Sequence, residues 1–254
     1  MSRIQSDLDF SAQGKQTGFL RVPCPRNSSA WGVLMIPVVL IRNGEGPSVL
    51  LTAGQHGDEY EGPLALGELM RTLQAEQIQG EIMILPALNL PALQISTRLS
   101  PLDGKDMNRA FPGDPNGSPT QMLADYISRV LLPRADLVLD MHSGGQSLDF
   151  LPSVIMHRVP DARQYTATRS AFEAFGAPYG MVLAELDAVG MFDTYVEQQG
   201  KIFLSTELSG AGQVSREALA IAIAGVQRLL QHLGLLREPI VPPARGLWFC
   251  FYPC

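Results

Sequence analysis

Five short apolar runs rich in branched side chains punctuate this chain, with longer stretches of helical spacing between them. "VLMIPVVLI" (33–41), "SVLLTAG" (48–54), "EIMILPAL" (81–88), "ADLVLDM" (135–141) and "KIFLSTEL" (201–208) read as strands. "LALGELMRTLQ" (64–74), "QMLADYISRVLL" (121–132), "DARQYTATRSAFEAF" (161–175), a segment near 191–199 and "REALAIAIAGVQRLLQHLG" (216–234) read as helices. "RNGEGP" breaks the first two strands apart as a turn. Strands alternating with helices in this way predict an α/β fold, a three-layer sandwich around a mixed, mainly parallel sheet.

Composition narrows the function. With 254 residues, 46% of them hydrophobic, the chain can bury one substantial core. A net charge of -6 without any Lys/Arg run argues against nucleic acid as a partner. Three widely spaced cysteines (Cys24, Cys250, Cys254) form no CxxC pair, which suits a reducing compartment. The opening "MSRIQSDLDFSAQGKQTG" lacks the apolar stretch of a signal peptide, and "VLMIPVVLI" is too short to span a bilayer. The expectation is a soluble, cytoplasmic protein with no membrane partner.

The polar cluster after "SVLLTAG" carries the chemistry. His56 and Glu59 stand three residues apart in "GQHGDEYEGP", and Pro63 sets the helix start near Gly62 or Pro63. Both side chains then fall on the turn between strand and helix, at the carboxyl edge of the sheet, where open α/β sheets hold their ligands. His142, in "LVLDMHSGG", follows another strand and precedes a glycine pair. Two histidines and one carboxylate, with a fourth position open to water, match the ligand set of catalytic zinc hydrolases. An isolated HxxE pair is a weak signal; the two elements together, each at a strand end, strengthen it. His157 and His232 read as structural, and Asp140 either orients His142 or solvates the strand end. The connection 95–119 exceeds ordinary loop length, and "DMNRAFPG" within it offers Met107 and Phe111 as anchors.

Four ordered motifs, "GQHGDE" (54–59), "MNRAFPG" (107–113), "DMHSGG" (140–145) and "TELSG" (206–210), give the chain a resemblance to a known group. It is similar, over about residues 30 to 235, to the succinylglutamate desuccinylase/aspartoacylase family of the zinc carboxypeptidase superfamily. The motif wording is most similar to deacylases of the N-acetyl-diaminobutyrate deacetylase kind. The resemblance implies one zinc ion per chain, held by His56, Glu59 and His142. It implies that Glu207 acts on the metal-bound water as general base, and that Asn108 and Arg109 hold the carboxylate of a small N-acyl amino acid substrate. Arg98 matches an arginine that polarises the scissile carbonyl, although relatives carry theirs somewhat closer to the Asn-Arg pair.

Family members continue into a small C-terminal β-domain bordering the site entrance. Here "EPIVPPARG" (238–246) reads as a linker followed by eight residues. The expectation is therefore a catalytic domain over 1–237, with 238–254 a linker and remnant of a missing or curtailed β-domain. Apolar surface left open there would favour a homo-oligomer. Two rival functions stay open: a zinc carboxypeptidase acting on short peptides, and a non-catalytic metal-binding protein. The ligand set also suits divalent ions other than zinc. A serine-hydrolase reading is poor, because no G-x-S-x-G elbow is present.

Overall fold

Side-chain alternation along the central strands sends successive residues into two separate cores, one on each face of the sheet. A computed structural model describes residues 2–27, 29–184, 189–237 and 248–251. Its strands are β1 (Gln5–Ser6), β2 (Gly14–Pro23), β3 (Val33–Asn43), β4 (Ser48–Ala53), β5 (Gly80–Leu85), β6 (Leu137–His142), β7 (Asp149–His157), β8 (Tyr179–Leu183), β9 (Ile202–Gly210) and β10 (Trp248–Phe251). The helices are α1 (Glu61–Thr72), α2 (Leu90–Ile95), α3 (Pro119–Tyr126), α4 (Ala162–Phe175), α5 (Phe192–Gln198) and α6 (Arg216–His232). On one face Leu51, Leu139 and Leu204 pack with Leu66, Phe172 and Leu229 from α1, α4 and α6. On the other, Leu50, Val138 and Phe203 pack with Leu123 and Tyr126 of α3 and with Phe192 and Val196 of α5. These are the three layers anticipated from sequence. Among the described residues no helix is long and apolar enough to cross a membrane.

One sheet orders its strands β1-β2-β3-β5-β4-β6-β9-β7-β8-β10. β5, β4, β6 and β9 run parallel, as do β7, β8 and β10, while β9 and β7 meet antiparallel. The chain passes from β4 through α1 to β5 on one side, then crosses back to place β6 on the other side of β4. That reversal opens a crevice at the carboxyl end of β4, the position where doubly wound sheets bind ligands.

Several elements depart from the sequence reading. β2, β7, β8 and the short α2 were not anticipated; β2 and β7 alternate or mix polar with apolar residues, and β8 is only five residues long. The segment 121–132 is not one uniform helix: α3 ends at Tyr126, a π-helical turn follows over Ile127–Leu131, and a 3-10 turn covers Leu132–Arg134. Pro133 has no amide hydrogen to continue an α-helical ladder. The long connection 95–119 is pinned by Met107 and Phe111, 1% and 5% exposed. Most of the segment 238–254 lies outside the described residues; Trp248–Phe251 extends the main sheet as β10, parallel to β8.

Candidate metal centre

The crevice beyond β4 gathers residues that the chain keeps far apart. β4 ends at Ala53, and the turn that follows carries His56 and Glu59 before α1 begins at Glu61. Gly57 lets this turn press on α2: its amide donates to the Thr97 carbonyl at 2.9 Å. A Cβ at that position would lie 2.0 Å from the Ala92 carbonyl carbon, so no larger residue fits. His142 is the last residue of β6, one position earlier than a reading just past the strand. In register beside it on β9 stands Glu207. Parallel pairing of neighbouring strands thus delivers a histidine and an acid side by side.

His56, Glu59 and His142 each offer a ligand atom within 4.8 Å of the others, and all three are buried, at 3%, 4% and 8% exposed. The two imidazoles present the same nitrogen inward: His56 Nδ1 lies 2.7 Å from Glu59 Oε1 and His142 Nδ1 lies 2.8 Å from Glu59 Oε2. Their outer nitrogens meet carboxylates, His56 Nε2 to Asp106 Oδ1 at 3.1 Å and His142 Nε2 to Asp140 Oδ2 at 2.7 Å. Carboxylates behind ligating histidines orient the rings and raise their basicity. The Ser143 amide adds a bond to Glu59 Oε2 at 3.2 Å.

The donor set suits a divalent cation, and the charges of the site act strongly on one another. Burial penalises the Glu59 carboxylate, yet the charge of His142 and hydrogen bonds from both imidazoles hold it down at about 2. Burial likewise opposes an imidazolium at both histidines. Asp106 and Glu59 nevertheless keep His56 raised, while Asp140 and Glu59 keep His142 well above its ordinary value. Glu207 is the exception in the group. Burial pushes its carboxyl up to about 7, and its Oε2 has no hydrogen-bond partner among the described residues. A buried acceptor left bare is costly, and a cation or a water beside it removes that cost.

A cavity of about 460 Å³ opens over this cluster, and its wall includes His56, Glu59, His142, Glu207, Arg98, Asn108 and Arg109. All seven residues singled out from the sequence therefore share one space. Arg98 reaches in from the long connection, with Nη1 3.4 Å from His56 Nδ1 and Nη2 3.2 Å from Asp106 Oδ2. Asn108 accepts the Phe192 amide on Oδ1 at 3.0 Å, which leaves its NH2 as the donor half. Gly190, with φ of 77°, packs against the Arg109 carbonyl, 2.5 Å from where a Cβ would stand. The "MNRAFPG" loop is thereby docked onto the start of α5.

Sequence reasoning left Asp140 undecided and missed Asp106. The strand places Asp140 two residues before His142 on the same face, and it also takes Thr52 Oγ1 at 2.6 Å and Gln55 Nε2 at 2.5 Å. Asp106 directly precedes the "MNR" motif, but no spacing rule links it to His56, fifty residues away. His157, set aside as structural, ends β7 in the cavity wall with Nδ1 3.2 Å from Glu197 Oε1. His232 lies in the last turn of α6 and meets Ser170 Oγ at 3.1 Å, in keeping with a structural role.

Comparison with known proteins follows the same line. Residues 45–233 match the succinylglutamate desuccinylase/aspartoacylase catalytic domain. The chain is 49% identical to the N-alpha-acetyl-L-2,4-diaminobutyric acid deacetylase of Halomonas elongata, over 95% of this chain and 71% of that protein. Its fold superposes on the product-bound ectoine utilization protein EutE (DoeB) of Ruegeria pomeroyi with a TM-score of 0.96 at 43% identity, covering 100% of this chain and 77% of that one. A succinylglutamate desuccinylase from Silicibacter sp. TM1040 gives a TM-score of 0.93 at 44% identity, covering 96% of this chain and 74% of that one. On these grounds the chain belongs to the succinylglutamate desuccinylase/aspartoacylase family.

Proposed function

We propose that this protein is a zinc-dependent deacylase that hydrolyses the amide of an N-acyl amino acid, with an N-acetylated diamino acid as its substrate. The observation that carries the reading is the convergence of two Nδ1 atoms and the Glu59 carboxylate beside the buried, unpartnered oxygen of Glu207. His56, Glu59 and His142 would hold the ion. Bound there, zinc supplies Lewis acidity that activates water near neutral pH. Residues 1–237 are the proposed catalytic domain, and the sparse cysteines keep the cytoplasm as the proposed compartment.

The chain's own groups divide the remaining work. Glu207, held near 7, accepts a proton from the attacking water and returns it to the leaving nitrogen, because its acidity matches both directions of transfer at neutral pH. Arg98, beside the His56–Glu59 edge, faces the acyl oxygen as negative charge develops on it. Arg109 presents a planar fork to the substrate carboxylate, and the Asn108 NH2 adds a neutral donor. The 49% identity to a diaminobutyric acid deacetylase supports an acetyl group and a diamino acid as the two halves of the substrate.

Purified protein should hold about one equivalent of zinc by elemental analysis, and His142→Ala should lose it. Loaded protein should release acetate from N-acetylated amino acids. Glu207→Gln should keep the metal while turnover falls about 100- to 10,000-fold, the range of a lost general base. Release of a C-terminal amino acid from short peptides without acyl release would favour the carboxypeptidase reading, and a metal-loaded protein inert to both substrate types would sink the enzymatic reading.

A further inference from the structure

Glu207 does not face the cavity alone. β9 alternates its side chains between the two faces of the sheet, so Phe203, Ser205 and Glu207 line the cavity together, while Leu204 and Leu208 join the opposite core. Register extends this floor sideways. Glu207 is flanked by His142 on β6 and Ser153 on β7, and Ser205 by Asp140 on β6 and Ile155 on β7. Ser205 thus stands two residues, about 6.6 Å of strand, behind the proposed proton carrier. It is half-buried, and its neighbours Phe203 and Ile155 are 3% and 9% exposed. Among the described residues no protein group meets its hydroxyl at hydrogen-bond distance. A bare hydroxyl between apolar neighbours is costly unless water or a ligand meets it.

The proposed reaction decides which part of a substrate lies over that hydroxyl. Glu207 returns its proton to the leaving nitrogen, so the amino acid bonded to that nitrogen lies on the Glu207 side of the cavity and the acyl group on the metal side. Asn108 and Arg109, from the long connection, take the α-carboxylate. With the nitrogen and the carboxylate held, the third substituent of the α-carbon, its side chain, runs along β9 over Ser205. In a 2,4-diamino acid four bonds separate the two nitrogens, a span of at most about 5 Å. With a hydrogen bond at each end, that span reaches from the Glu207 carboxyl to the Ser205 hydroxyl.

We infer that Ser205 is a specificity-determining residue whose hydroxyl accepts a hydrogen bond from the side-chain amine of the leaving amino acid, an assignment that deepens the deacylase reading and rests on it. Phe203 and Ile155 flank it as apolar surface for the methylenes that lead to the amine. A serine that only filled a strand position would leave the enzyme indifferent to whether that side chain ends in an amine or a methyl.

The test compares wild type with Ser205→Ala, both metal-loaded, on three compounds. They are Nα-acetyl-2,4-diaminobutyrate, Nα-acetyl-2-aminobutyrate, which ends in a methyl, and Nα-acetylornithine, whose amine lies one methylene further out. Wild type should favour the first by kcat/KM. The variant should lose about 10- to 100-fold of the preference for the diaminobutyrate over the aminobutyrate compound, mostly in KM, the range of one hydrogen bond to a charged group. Calorimetry with the released amino acids, 2,4-diaminobutyrate and 2-aminobutyrate, should show the same narrowing without turnover. Metal content and thermal unfolding should match wild type, since the hydroxyl holds no other part of the protein. Acyl release with an unchanged ratio in the variant overturns the assignment of Ser205 alone. So does a fall in metal content, which would make Ser205 a support for Asp140. A wild-type preference for the ornithine compound would place the receptor for the amine beyond Ser205 and overturn the assignment too. Absence of acyl release from all three compounds by metal-loaded wild type overturns the deacylase reading and this assignment with it.

Discussion

Asp140→Asn removes one negative charge from behind the metal site while keeping a side chain of the same shape. In the native site Oδ2 meets His142 Nε2 at 2.7 Å and Gln55 Nε2 at 2.5 Å, while Oδ1 takes Thr52 Oγ1 at 2.6 Å. An amide can turn its oxygen to the two nitrogen donors and its NH2 to the Thr52 hydroxyl, which then accepts and donates elsewhere. The fold should survive; the basicity that the carboxylate lends to His142 should not. Loss of such an outer carboxylate lowers metal affinity about 10- to 100-fold, or about 1.4 to 2.8 kcal/mol. Asp106 serves His56 in the same way, from a longer 3.1 Å, with a side chain 17% exposed and shared with Arg98. Solvent and guanidinium screening should place Asp106→Asn near the lower end of that range and Asp140→Asn, whose side chain is 1% exposed, near the upper end. Zinc affinity is measured by competition with a chromophoric chelator at fixed pH, with circular dichroism to show that each variant is folded and exposed Asp149→Asn as a control. Wild-type affinity in Asp140→Asn, or a reversed order of the two variants, refutes the reasoning.

Three further outcomes follow from the same geometry. Gly57→Ala forces a Cβ to within 2.0 Å of α2 backbone, so thermal unfolding should show a loss of about 2 kcal/mol or more together with weakened metal retention; native stability and full metal would contradict the packing account. Arg109→Lys replaces a fork by a point charge and should raise KM for N-acyl amino acids about tenfold, with a smaller change in kcat, in steady-state kinetics. Zinc binding should weaken as pH falls: burial opposes charge on His56 and His142, but their carboxylate partners win and hold both pKa values above the ordinary 6.5. The imidazoles thus keep protons to higher pH than free histidine, and each proton competes with the ion for a ring nitrogen. Calorimetric titration in buffers of different ionisation enthalpy should reveal proton release; identical heats would exclude it.

Much of the scaffold and part of the site are written locally. The runs at 48–54 and 135–141 announce themselves as strands in the letters, but that Leu50 and Leu51, or Val138 and Leu139, belong to opposite cores emerges only in the fold, because both faces are apolar. The three-residue spacing of His56 and Glu59, placed between an apolar run and Pro63, marks a strand-to-helix turn. Phe111 and Met107 announce that the long connection is anchored. Each of these features depends on residues within a few positions of one another, so periodicity and turn chemistry expose them.

Other features required the folded chain. Nothing near Asp106 shows that it stands behind His56, and nothing in "VEQQGKIFLSTEL" shows that β9 lies beside β6 in the register that pairs Glu207 with His142. The crossing at β4, the stacking of Phe192 on Phe111 and the bond from the Phe192 amide to Asn108 likewise join segments tens of residues apart. Such pairings arise from the shape and hydrogen-bonding complementarity of whole surfaces, a property shared between distant segments and carried by neither alone. The letters thus settle the kinds of elements and the kinds of side chains available for chemistry. Which of those side chains face one another is settled by sheet order and register, because only packing brings remote strands within bonding distance.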